Sequence, residues 1–159
     1  MLSWEAFSQT RPDLAEAARG LFYQFGGVGL AFLGTVRKDG GPRMHPMCPV
    51  LVDGGLYAFI EPGPKRYDLH RDGRYALHCF PPAMNEDAIY LTGRARRVTD
   101  ANVLAAATKV FWSERGKTEA PPEAGHNELF EFLIATAMLT RTTGHGDWNP
   151  RHTIWKAPD

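Results

Sequence analysis

The residues best placed to do chemistry are Lys65 and Arg66, which follow Pro62, Gly63 and Pro64 and open a short helix-like stretch. A helix start presents backbone N–H groups without intrahelical partners, and the summed peptide dipoles make it positive. Acidic side chains are favoured there and cations are not. Two adjacent cations break that preference, and a bound anion, most simply a phosphate, removes the conflict. The chemistry implied is anion recognition. No acid–base dyad or activated nucleophile stands out. Cys48 has no neighbouring His and no helix start to lower its thiol pKa. His126, His145 and His152 fit no zinc-ligand spacing, so no metal site is expected. His78, on a strand-like run, either faces a ligand or is a satisfied core residue.

These side chains need elements to hold them. Residues 12–25 read as a helix: Pro12 suits the first turn, and Leu14, Ala17, Ala18, Leu21, Phe22 and Phe25 recur at helical spacing. Gly26 and Gly27 stop it. Residues 29–37 read as a strand, 38–41 as a turn and 43–52 as a second strand. Pro46 and Pro49 mean that part of this second strand is not central and fully paired. Asp53, Gly54 and Gly55 make another hairpin turn before a strand at 56–60. A short helix at 65–71 is followed by strands at 75–80 and 89–98. In the latter, Leu91, Gly93 and Ala95 face one way, and Tyr90, Thr92, Arg94 and Arg96 the other. Arg94, Arg96 and Arg97 read as a solvated face in preference to a contact with a ligand or a partner subunit. Asp100 caps a helix over 101–113, and 117–125 is a loop. The apolar run 128–142 suits either a buried helix or a long central strand. Short strands joined by glycine turns predict a mainly β, α+β fold: a small antiparallel barrel flanked by helices.

Composition bounds the function. A chain of 159 residues makes one domain, 1–159, with its core over about 21–143. Eighteen basic and eighteen acidic residues cancel, which argues against nucleic-acid or membrane-surface binding. No apolar run reaches the roughly 18 residues of a membrane span. The first residues carry early acids and no apolar core, unlike a signal peptide. Two cysteines, Cys48 and Cys79, suit a reduced, cytoplasmic protein.

The order of segments carries more. A strand, then DGGPRMHPM, a strand, DGGLYAFIEPGPKRYDL, RDGRYALHCF, and a strand ending GRARRV resembles the pyridoxamine 5′-phosphate oxidase-like family of FMN-binding split barrels. The resemblance covers about residues 21–99 and, more weakly, the tail. It implies that Arg43, Lys65 and Arg66 hold the FMN phosphate. It also implies that the backbone of Met47, Cys48, Pro49 and Val50 edges the isoalloxazine ring. It turns residues 128–142 into a long barrel strand. It implies a homodimer with the flavin at the subunit interface, approached by a C-terminal tryptophan, for which Trp148 is the candidate. Trp148 and Trp155 either stack there or pack against the barrel mouth. His78 joins the expected cofactor contacts. The implied activity is an FMN-dependent oxidoreductase moving hydride or electrons to or from a small-molecule substrate. Two departures bear on the substrate. Cys48 stands where the true oxidase has a basic residue, and Arg151-His152 lacks that enzyme's C-terminal Arg-x-His spacing. Related barrels use the deazaflavin F420 or bind haem, so the alternatives are an F420-dependent reductase on the same fold or a non-catalytic flavin- or haem-binding protein.

Overall fold

The structure, a computed structural model, describes residues 1–158, apart from the side chain of Glu123. Two helices come first, α1 (Trp4–Thr10) and α2 (Pro12–Phe22). Strands β1 (Ala31–Val36), β2 (Pro42–Met47), β3 (Val50–Val52) and β4 (Gly55–Ile60) follow, then α3 (Pro64–Arg71). After β5 (Arg74–Cys79) and β6 (Ala88–Arg97) come α4 (Ala101–Ser113), β7 (Glu128–Arg141) and β8 (Arg151–Lys156). All strand pairings are antiparallel.

The sheet order is β2-β1-β5-β6-β7-β4-β3, with β8 also on β7. Its two ends, β2 and β3, are separated in the chain by Cys48 and Pro49 alone. The sheet therefore curls until its edges come together without pairing, which is a barrel split along one seam. Proline explains the seam: Pro49 has no N–H to give a ladder, and Pro46 sits on the edge strand β2. The hairpin between β3 and β4 turns through Asp53 and Gly54, both at positive φ (46° and 74°), which matches the twist of the flanking strands.

β7 is the hub. It pairs along its length with β6, through Glu128–Glu131 with β4, and through Thr136–Arg141 with β8. Between these last two, Leu2 fills the gap by exchanging both backbone hydrogen bonds with Ile134, each 2.8 Å. A bulge at Thr92/Gly93 lets β6 follow the bend of β7. Gly93 is required there, since a Cβ on it would lie 1.9 Å from the Leu133 carbonyl oxygen.

Alternation along the strands divides the sheet into two faces. Leu33, Leu77, Leu91, Phe132 and Ala137 point into one core, which α1 and α2 complete with Phe7, Leu14, Ala18 and Phe22. Phe7 also meets the ring of Trp155 at 5.1 Å, so Trp155 packs the body of the molecule. On the outer face, α4 covers Val50, Tyr57 and Leu129 with Ala107, Val103 and Val110, and its Phe111 meets the Phe59 ring at 5.1 Å. The α4 boundaries and its Asp100 cap, which accepts from the Asn102 and Val103 amides, match the expectation from sequence. Among the described residues, no helix covers the remaining outer face.

Candidate functional site

α3 begins where Gly63, at φ 152°, turns the chain and Pro64 supplies the first helical residue. The Gly63 carbonyl accepts from the Arg66 and Tyr67 amides. Pro64, Tyr67, Asp68 and Arg71 recur at helical spacing and wall one side of an open cleft of about 550 Å³. Arg43 of β2 and Arg37, Lys38 and Asp39 of the β1–β2 turn wall the other. Asp68 organises the floor, with a side chain only 4% exposed. It accepts from Arg43 Nε at 2.7 Å, Thr35 Oγ1 at 2.9 Å and Arg71 Nη2 at 2.9 Å. Burial pushes its carboxyl pKa up, but the hydrogen bonds from Arg43, Arg71 and Thr35 outweigh this and hold it below the ordinary value. Four cations and two carboxylates line the cleft, an excess of two positive charges.

The expected site residues distribute as follows. Arg43 lines the cleft; Lys65 and Arg66 do not. Arg66 turns the other way and donates to the His126 carbonyl at 2.8 Å, with Glu128 at 4.0 Å. Lys65 is half-buried and has no hydrogen bond or ion pair among the described residues. Met47, Pro49 and Val50 are buried and Cys48 half-buried, so Met47 and Val50 offer a ligand their backbone rather than their side chains. The Tyr23 hydroxyl fixes this segment, lying 3.4 Å from the Pro49 carbonyl, accepting from the Leu51 amide at 3.2 Å and donating to Glu114 at 3.0 Å. His78 lies on the outer face, its Nδ1 2.6 Å from the Cys79 carbonyl. Trp148 is 99% exposed on the loop before β8. Asp68, Thr35 and Arg71 were not expected from sequence as a group. The one local signal is the Asp68–Arg71 spacing of three along a helix.

The bare outer face adjoins the cleft at the β1–β2 hairpin. One cross-strand row runs Pro46, Phe32, His78, Tyr90, Met138 and Ile154 over six strands. The next runs Met44, Gly34, Ala76, Thr92, Thr136 and Lys156. Met44 and Ile154 are 69% and 64% exposed. The small residues Gly34 and Ala76 leave a trough of about 270 Å³ bounded by Val36, Pro42 and Arg74. The hairpin end thus separates a cationic cleft from an apolar trough.

Residues 23–141 match the family model described as pyridoxamine 5′-phosphate oxidase. The chain belongs to the pyridoxamine 5′-phosphate oxidase family. Solved structures place its split barrel in the same company. A NimC/NimA family protein from Clostridium acetobutylicum is 16% identical with a TM-score of 0.62, over 91% of this chain and 93% of that one. The General Stress Protein 26 of Bacillus anthracis is 21% identical with a TM-score of 0.59, over 78% and 91%. A haem-binding protein from Mycobacterium smegmatis is 14% identical with a TM-score of 0.62; the match covers 88% of this chain but 57% of that protein. No curated protein matches the chain. No helix among the described residues is long and apolar enough to cross a membrane.

Proposed function

We propose that this member of the pyridoxamine 5′-phosphate oxidase family is an FMN-dependent oxidoreductase that works as a cytoplasmic homodimer on a small-molecule substrate. The observation that carries the reading is the cationic cleft joined at one hairpin to a bare, small-residue sheet face. A flavin mononucleotide needs both at once: cations for its phosphate and a flat apolar bed for its ring. The residues present fit that group. Arg43, in the cleft, would hold the phosphate, and Lys65, outside the cleft wall at the helix start, would add only its charge. The backbone of Met47, Cys48, Pro49 and Val50 would edge the ring, and His78, on the row beside the trough, would lie near it. The flavin, when bound, supplies hydride or electron transfer, while the protein supplies position and electrostatics. The chain's own tasks are to bind, to orient and to exclude water.

Exclusion of water requires a cover, and the proposed cover is a second copy. Two adjacent rows, one holding Phe32, Tyr90 and exposed Ile154 and the next opening on exposed Met44, are an unusual surface for a monomer to leave wet. Trp148 supplies the anchor. Its loop is tied down by Asp147, which accepts from the Thr143 and Asn149 amides, and by Asp87, which accepts from Arg141 and Thr142. A tryptophan fully exposed on a braced loop is suited to insert into a partner at little entropic cost.

The absorption spectrum of the purified protein is the first test. The reading expects flavin absorption and fluorescence, bleached anaerobically by a nicotinamide donor. A Soret band would replace it with haem binding. A deazaflavin F420 that binds where FMN does not would replace the cofactor while keeping the fold and the dimer.

A further inference from the structure

We propose that Arg43 and Arg71 form a two-armed clamp for a phosphate monoester, and that Asp68 is the positioning residue that sets it. The proposal rests on the FMN reading above and reassigns where its phosphate charge is met. It moves weight from the helix start at Lys65 and Arg66 to the opposite side of α3.

The geometry begins with Asp68. Its carboxylate gathers donors from three elements: Thr35 on β1, Arg43 on β2 and Arg71 on α3 itself. Each guanidinium is pinned by one edge only. Arg43 engages Asp68 through Nε, leaving both terminal nitrogens without a partner among the described residues. Arg71 engages Asp68 and the Val36 carbonyl through Nη2, leaving Nη1 and Nε. A guanidinium is a rigid planar fork, so fixing one edge fixes the direction of the rest. Both side chains line the cleft, and their remaining N–H groups are the donors a phosphate oxygen needs.

Charge selects the ligand class. The cleft has Arg37, Lys38, Arg43 and Arg71 against Asp39 and Asp68. The excess of two matches the roughly two negative charges of a phosphate monoester near neutral pH. A diester or a single carboxylate would leave half of it unmet. Asp68 therefore has two effects of opposite sign on anion binding. Its charge opposes the anion, and its hydrogen bonds orient the two arms that receive it.

Those opposite signs make the test. FMN, riboflavin and inorganic phosphate are titrated into wild-type protein and into Arg71→Ala, Arg71→Lys, Asp68→Asn and Lys65→Ala variants, with melting curves alongside. Arg71→Ala should weaken FMN roughly ten- to hundredfold and riboflavin, which lacks the phosphate, less than about threefold. Arg71→Lys, which keeps the charge but not the fork, should recover only part of the loss. Asp68→Asn should also weaken FMN, although it removes a negative charge from the cleft. Should that variant fail to fold, the Arg71 variants decide alone. The proposal is overturned if Arg71→Ala leaves FMN affinity unchanged, if folded Asp68→Asn binds FMN more tightly, or if Lys65→Ala costs more than Arg71→Ala. If wild type binds neither flavin, the flavin reading fails separately. The clamp then stands if inorganic phosphate raises the melting temperature of wild type but not of Arg71→Ala, and falls if phosphate has no effect on wild type.

Discussion

At the scale of single residues, the carboxylates divide into two groups with opposite dependence on pH. Asp87 is buried, which alone would raise its pKa, but Arg141 and Thr142 bind the carboxylate and hold it down. Asp68 behaves likewise, and the Arg74 hydrogen bonds hold half-buried Asp72 at about 2. A carboxyl whose pKa is depressed on folding stabilises the protein above its unfolded pKa, near 4, and loses that contribution as pH falls through the folded value. Denaturation midpoints should therefore drop between about pH 4 and 2, and Asp87→Asn should flatten that limb while lowering stability at neutral pH. Glu114 runs the other way. Burial raises its pKa, despite the Tyr23 and Arg115 contacts that favour the anion. Its charged form is then a cost at neutral pH, so Glu114→Gln, which keeps an acceptor for Tyr23, should raise the melting temperature at pH 7 and have no such effect near pH 3. A lower melting temperature at pH 7 would mean that the Arg115 contact outweighs burial.

At the scale of elements, what was legible depended on whether a pattern was local. α4 showed helical spacing and its cap, α2 showed its spacing but ends at Phe22 rather than at the expected Phe25, and the glycine turns marked β1, β4 and β5. Residues 128–142 were ambiguous because β7 is flanked on both edges and largely buried, which erases the alternation that marks a half-buried strand. α1 went unread: it is seven residues long, its only buried side chains are Trp4 and Phe7, and its reason to exist is the core beneath it. β8 went unread for the converse reason, being an outer strand with five of six residues exposed. In the site, the arginine on β2 and the helix at α3 were visible in sequence. The Asp68 centre was not, because Thr35, Arg43 and Arg71 meet only through the fold. The bulge at Gly93 yields an element-scale prediction. Gly93→Ala forces a backbone shift against Leu133, and overpacking of this kind costs about 1–3 kcal/mol. The measurement is a denaturant midpoint with an unchanged slope; a neutral Gly93→Ala would mean that β6 and β7 slide past each other freely.

At the scale of the whole molecule, the outer face is the feature that a lone protomer does not use. If two copies cover it, light scattering at micromolar concentration should report about twice the chain mass of 17.7 kDa. Met44→Lys should then yield a folded monomer that has lost flavin, because Met44 is already exposed and its change leaves the core intact. A Met44→Lys variant that still dimerises and holds FMN would move the interface elsewhere. Trp148→Ala tests the other contact: an aromatic anchor contributes about 0.5–1.5 kcal/mol beyond its burial, so flavin affinity should fall roughly three- to tenfold. Unchanged affinity and unchanged fluorescence would leave Trp148 outside the site.

The pairing of β7 also imposes an order in time. A ribosome releases α1, α2 and the first six strands before residue 128, and until β7 follows the β3–β4 hairpin is not joined to the β2-β1-β5-β6 sheet. The β3–β4 hairpin has no other sheet neighbour, β6 has one edge unpaired, and Leu2 waits for Ile134 near the far end of the chain. At about 5–20 residues per second, that wait is on the order of ten seconds. From Arg97 until Glu128 follows, a few seconds at that rate, the nascent chain carries an unpaired β6 edge beside apolar side chains, the kind of surface that recruits other strands. The barrel therefore completes as a late, single event, and a chain ended before Glu128 should accumulate as aggregate rather than as a smaller folded protein.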